Sequence, residues 1–325
     1  MTTELALYRG EGLSKAEVWR KMATDERRRK VIAACQDRDL TILWDLTESY
    51  LILHSAQGIA LSACTRRNYR AALKRLLSDW TEEEVREPRP DAGASWLAHL
   101  KEQGYTRKNG RTYGMKPATL GIFLAAVRTL YAALRWAGAT KADPFRDVHR
   151  PRDPIPTWEK RQPYSEDDVR KILQVASGPH KTMVLLGAHA GLRASEMMAL
   201  RWESIDLRRK QLTVESGKGG KKRTVPMTPT LATHLDSVPR EQQTGPVLPW
   251  ADRFKAHYEM KLLAKEAAVD PLGLHALRHY AGTRLVASGG SMEMAARMLG
   301  HQQIETTRIY VAWADESLRK ALETW

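Results

Sequence analysis

The 325-residue chain carries 52 Lys and Arg against 38 Asp and Glu, a formal charge of +14, with 42% apolar residues. That length predicts two domains, each able to bury its own core; the apolar runs read as too short for a membrane span, and Cys35 and Cys64 are too few for a disulfide framework or zinc ribbon. The positive surplus predicts a polyanionic partner, nucleic acid first, with a merely soluble basic protein as the alternative.

Residues 1–44 open with "MTTELALYRGEG", which lacks a basic-then-apolar signal pattern, so a cytoplasmic location is expected. This extension includes "DERRRK" and has no assigned role. Residues 45–148 read as all helical. In "SACTRRNYRAALKRLLSDW" (62–80), Tyr69, Leu73, Leu76, Leu77 and Trp80 recur at helical spacing, with Ser62 as cap. Arg67, Arg70 and Lys74 fall on another face. A second helix, "PATLGIFLAAVRTLYAALRWAG" (117–138), has Pro117 in its first turn and Gly138 at its end. Between them "TRKNGRTYGMKP" reads as a polar loop. Arg66, Arg67, Arg70, Lys74, Arg107, Lys108, Arg111 and Lys116 form a candidate phosphate-binding surface, with a solvated face as the alternative.

The prolines of "HRPRDPIPTWEKRQP" (149–163) predict an extended linker to a second domain over 164–325. There "DVRKILQVA" and "KTMVLLGAHAG" read as helices, and "RKQLTVES" and "KRTVPM" as strands joined by a tight turn in "GKGGKK". "LGLHALRHYAGTRLVASGG", "SMEMAARMLGH" and "IETTRIYVAWA" read as three further helices. In the tail, Asp315 is a plausible cap, and Leu318, Ala321, Leu322 and Trp325 line one stripe of a short helix that must dock on protein. The fold class is mainly α with a small β-sheet.

Four segments hold chemistry: "AGLRASEMMALRWESID" (190–206), "SGKGGKKRTVPM" (216–227), "HALRHYAGTRL" (275–285) and "LGHQQIETTRIY" (299–310). They offer Arg193, Lys218, His275, Arg278, His301 and Tyr310. Singly, each has a bland reading as a surface charge, a hairpin-tip lysine, a satisfied histidine or a core aromatic. His275 and His279, four apart, suggest a zinc helix, but the Glu of H-E-x-x-H is missing.

As a set they resemble the tyrosine recombinases, or phage integrase family, including the Xer type. "GLR-x-SE" matches Arg193 and Glu196, "GKG-x-K-x-R-x-VP" matches Lys218, "H-x-LRH" matches His275 and Arg278, and "LGH" with a Tyr nine residues on matches His301 and Tyr310. Tyr280, Ala281 and Gly282 stand where a Thr/Ser-x-Ala run is common, and Ser204 where an Asp is common.

The resemblance implies an all-helical, SAM-like core-binding domain followed by an α+β catalytic domain, the two closing on double-stranded DNA. It implies site-specific recombination through a 3′-phosphotyrosyl ester and a Holliday junction, without metal or cofactor. Partners would be identical protomers in a tetrameric synapse on two DNA sites, or a related second recombinase, with the tail exchanged between neighbours. Tyr310 is then the nucleophile, His275 its proton acceptor, Lys218 the acid for the leaving 5′ oxygen, and His301 a phosphate ligand. Arg193 and Arg278 suit a crowded, negative phosphorus because each guanidinium donates two fixed parallel hydrogen bonds. Glu196 would orient them. Lys221, Lys222, Arg223 and His279 are expected to add DNA contacts. The alternatives are a type IB topoisomerase with the same groups and a catalytically silent DNA-binding regulator.

Overall fold

The computed structural model describes residues 14–54, 61–106, 109–155, 157–160, 162–215, 222–250, 252–300 and 310. The chain divides into two compact units, Met1–Pro154 and Ile155–Trp325, a boundary that falls inside the proline-bearing segment.

The first unit is built from helices α1 (14–21), α2 (Thr24–Gln36), α3 (Leu40–His54), α4 (Ala63–Asp79), α5 (Ala92–Glu102) and α6 (Pro117–Trp136). Ser62 caps α4, its hydroxyl accepting from the Thr65 amide at 3.1 Å. Pro117 opens α6, and Gly138 follows its end at φ 71°. α6 lies against α3 and α4, and its Leu120, Leu124, Val127, Leu130, Tyr131 and Leu134 are buried. Each such side chain contributes about 1.5–3 kcal/mol on burial. Tyr131 keeps its hydroxyl satisfied by donating to the Val85 carbonyl at 2.8 Å.

Three expectations are revised here. Residues before 45 are no separate extension: Trp19, Val31, Ala34 and Cys35 join Leu43 and Trp44 in one core, and α3 runs through the expected boundary. The polar loop before α6 contains a short antiparallel ladder, β1 (Tyr105–Thr106) with β2 (Thr112–Tyr113). And α6, at 20 residues with mean hydropathy 1.5, is long and apolar enough to cross a membrane. Its buried face makes it the central helix of this unit.

The second unit contains α7 (Thr157–Lys160), α8 (Glu166–Val175), α9 (Gly178–Ala190), α10 (Ala194–Ala199), α11 (Pro229–Asp236), α12 (Arg253–Glu266), α13 (Leu274–Ala287) and α14 (Met292–Leu299). A reciprocal cap between Ser165 and Asp168 opens α8. α11 and α12 were not legible in the sequence. α9 and α13 pack together at the centre. Beside them stands an antiparallel sheet, β3 (Ile205–Asp206), β4 (Gln211–Glu215) and β5 (Lys222–Pro226), in the order β3-β4-β5. Its register pairs Val214 with Arg223 and Leu212 with Val225, so Leu212, Val214 and Val225 enter the core. The glycine-rich turn at 216–221, the tail helix and most of the segment around Tyr310 lie outside the described residues.

One ion pair inside the first unit decides a residue's role. Glu48 on α3 is 5% exposed, and Arg66 Nε meets its Oε1 at 2.5 Å. Arg66→Met should destabilise the protein by about 1–3 kcal/mol in urea melts, because it takes a guanidinium away from a buried carboxylate. Arg67→Met, at an exposed position, should shift stability by no more than about 0.5 kcal/mol.

Candidate active site

α9 ends on Gly191, whose left-handed φ of 63° turns the chain sharply into Arg193. Arg193 precedes the first turn of α10, and Glu196 in that turn reaches back to it. Glu196 Oε2 accepts from the Arg193 amide at 2.9 Å, and Oε1 accepts from Arg193 Nη1 at 2.8 Å. From β5, Arg223 approaches the same carboxylate as a fork, Nη1 to Oε1 and Nη2 to Oε2, both at 2.9 Å. Arg278 of α13 stands 3.9 Å from Oε2. Three guanidinium groups therefore surround one carboxylate whose side chain is 5% exposed.

Burial alone would raise the Glu196 pKa. The Arg223 hydrogen bond and then those from Arg193 outweigh it and bring the group down to about 2. Stability gained from this ionisation is complete above the ordinary carboxylate range and is lost as pH falls through about 2.

Backbone carbonyls supply the remaining negative charge. α14 ends at Leu299, followed by Gly300 in the left-handed region. Met298 O accepts from Arg223 Nε at 3.2 Å, Leu299 O from Arg278 Nη2 at 2.8 Å, and Gly300 O from Arg193 Nη2 at 3.3 Å. Gly191 O, at the end of α9, accepts from Arg278 Nη1 at 2.6 Å. Carbonyls at helix C-termini lack intrahelical partners and sit at the negative end of the dipole, so they suit cations. Arg278 is 1% exposed, and desolvation, then repulsion from Arg193, lowers its pKa to about 10. It remains a cation at neutral pH.

Tyr310 joins this cluster. It is 1% exposed and packs on Leu299 with Val286 and Met298 beside it. Its ring covers Gly282, where a Cβ would lie 2.7 Å from Tyr310 Cε1. Burial raises the phenol pKa, while Arg278 and then Arg193 pull it down. The His279 ring lies between two others: its centroid is 4.5 Å from that of His275, edge-on, and 5.9 Å from that of Tyr310. His275 itself is exposed.

The described structure thus brings together Arg193, Glu196, Arg278 and Tyr310, with His275 at the start of the same helix as Arg278. Lys218, Lys221, His301, Arg107 and Lys108 lie outside the described residues. Two expected DNA contacts are corrected. Arg223 turns inward because it shares a strand face with the buried Val225, and His279 is 6% exposed beneath its neighbours. Lys222, on the outward face, pairs with Glu215 at 2.7 Å. In the first unit, Arg67, Arg70 and Lys74 are exposed and, with Arg66, line a shallow cleft of 530 Å³ floored by Leu40 and Trp44. Arg111 and Lys116 are exposed. Strand alternation carried the signal for Arg223. No sequence signal placed Gly282 under Tyr310.

Comparison with known proteins places this geometry. Residues 164–317 match the phage integrase family, and residues 53–138 match the phage integrase N-terminal SAM-like domain. Tyrosine recombinase XerD of Pseudomonas putida is 30% identical over 289 residues, covering 80% of this chain and 90% of its own. The chain belongs to the phage integrase family of tyrosine recombinases. It is accordingly an enzyme of site-specific DNA recombination. Tyrosine recombinase XerC of Vibrio parahaemolyticus is 26% identical over 303 residues, covering 86% of this chain and 91% of its own. Two solved structures share the fold. One is a lambda integrase (75–356) dimer bound to a COC′ core site, at TM-score 0.63 and 17% identity over 82% of this chain and 93% of that one. The other is the Tn1549 transposon integrase with transposon right end DNA, at TM-score 0.62 and 16% identity over 87% and 98%.

Within this recombinase the contact between Gly282 and Tyr310 is directly testable. Gly282→Ala should displace the Tyr310 ring and destabilise the protein by about 1–3 kcal/mol through overpacking. Nitration with tetranitromethane, mapped by mass spectrometry, should then modify Tyr310 faster than in the unmodified sequence. Equal rates would mean that the ring does not rest on this glycine.

Proposed function

We propose that Tyr310 is the nucleophile of this recombinase and that Arg193 and Arg278 hold the scissile phosphate. The observation that supports the reading is the convergence of two guanidinium groups and the phenol on one buried cluster, with Glu196 and the carbonyls at the end of α14 holding the arginines. The Tyr310 oxygen attacks phosphorus and forms the phosphotyrosyl bond, and its proton passes to His275. The bond to the 5′ oxygen breaks, and Lys218 protonates that oxygen. A 5′ hydroxyl from the second duplex then attacks the 3′-phosphotyrosyl ester and releases Tyr310. Strands are exchanged through a Holliday junction. His301 is assigned to a phosphate oxygen, and Glu196 keeps the arginines in place.

Because Tyr310 is 1% exposed, the phenol leaves its resting position to meet DNA. Arg67, Arg70, Lys74, Arg111 and Lys116 in the first unit, together with Arg107 and Lys108, are assigned to phosphate contacts. Arg66 serves that surface through its pair with Glu48. The relatives in complex with DNA, one of them a dimer, support double-stranded DNA as partner and assembly of several protomers. We extend this to four copies on two sites, joined by the tail after residue 315, or to a pairing with a related second recombinase. The enzyme is placed in the cytoplasm, on the nucleoid.

The test uses nicked duplexes with a randomised site, selected as denaturant-stable adducts with the full chain. Adducts should form, and Tyr310→Phe should bind the selected DNA but form none. An adduct that persists in Tyr310→Phe would sink the assignment.

A further inference from the structure

We propose that Arg223 is a positioning residue for recombination: it fixes Glu196 from strand β5 and so sets the orientation of Arg193 and ties the lysine-bearing hairpin to the arginine pocket. This rests on the reading of Arg193, Lys218 and Tyr310 given above.

The position of Arg223 in the chain is the first argument. It is the second residue of the return strand and only five residues after Lys218, so whatever holds Arg223 limits where that turn can reach. The second argument is the use of its donors. Two nitrogens are committed to the two oxygens of Glu196, and Nε to the Met298 carbonyl. The side chain is 15% exposed, which leaves little of it for a DNA phosphate. The third is its packing against Gly300. A Cβ on that glycine would lie 2.9 Å from Arg223 Cδ and Nη1, so the guanidinium rests against the backbone just before His301. One side chain thus touches the acid that pairs with Arg193 and the backbone that leads to His301, from a strand that follows Lys218 in the chain.

A lysine cannot reproduce this arrangement. An ammonium is a single point charge, whereas the planar fork spans both carboxylate oxygens while Nε reaches a third acceptor. Among the described residues, the charged groups facing Glu196 are Arg193 just before α10, Arg223 from β5 and Arg278 from α13. Removing Arg223 leaves desolvation, which raises the Glu196 pKa, opposed by less. The carboxylate then takes up a proton at a higher pH than in the unmodified protein. Below that pH Arg193 loses its anchor.

The experiment compares the unmodified protein, Arg223→Met, Arg223→Lys and Tyr310→Phe on the selected nicked duplex, with adduct rates, DNA affinity and thermal melting followed across pH. Arg223→Met should form adduct about 10²-fold more slowly, on the scale of losing one preorganised donor. Its DNA affinity and salt dependence should stay unchanged, and the acid limb of its rate profile and of its melting curve should move to higher pH. Arg223→Lys should restore the acid limb in part and leave the rate low. If Arg223→Met does not fold, a slowed rate in Arg223→Lys with affinity and neutral-pH melting unchanged supports the proposal.

Rates and pH profiles within twofold of the unmodified protein would overturn it. So would a weaker affinity with a salt slope flattened by about 0.9 at an unchanged rate, the mark of a phosphate contact. Adduct formation that Tyr310→Phe abolishes keeps the recombinase reading intact in either case. If the unmodified protein forms no adduct, that reading fails, and the melting curves alone decide whether Arg223 holds Glu196: an acid limb that does not move overturns the proposal.

Discussion

A single buried carboxylate organises the catalytic unit. Arg193, Arg223 and Arg278 arrive from a loop, a strand and a helix, and like charges so placed repel unless something between them is negative. Glu196 supplies a full charge, and the ends of α9 and α14 supply partial ones. Breaking a buried pair by removing one partner typically costs about 3–5 kcal/mol. The same arrangement holds the cationic donors in fixed positions, the kind of preorganisation that favours an anionic transition state.

The arginines are not equivalent. Arg278 is sealed in and donates to two helix ends, so its orientation is the most constrained. Arg193 keeps 37% of its side chain exposed and is the open face of the cluster. Tyr310 is buried over Gly282 with its phenol pKa raised by burial, so the phenol rests protonated and out of reach.

The sequence carried the family and the order of most elements, because those depend on local spacing. Ser62, Pro117 and Gly138 were legible as helix signals, and Leu73, Leu76 and Leu77 as a buried stripe. What failed was non-local. Arg66 resembled its basic neighbours because its partner Glu48 lies 18 residues earlier on another helix. Arg223 was read by charge rather than by the face it shares with Val225. Residues before 45 have modest amphipathic character, and only packing of Val31, Ala34 and Cys35 against α3 shows that they belong to the first unit. The apolar length of α6 likewise has meaning only with its neighbours in place.

The central claim is that Glu196 is ionised while buried, and its own titration tests this most directly. In carbon-13 spectra of glutamate-labelled protein, the signal lost in Glu196→Gln identifies its carboxyl carbon. It should remain a carboxylate down to about pH 3, since its pKa lies near 2. A midpoint at or above the ordinary carboxylate value of about 4.3 would contradict the account. Burial would then dominate the arginines, and Glu196 would not be the charge that holds them together.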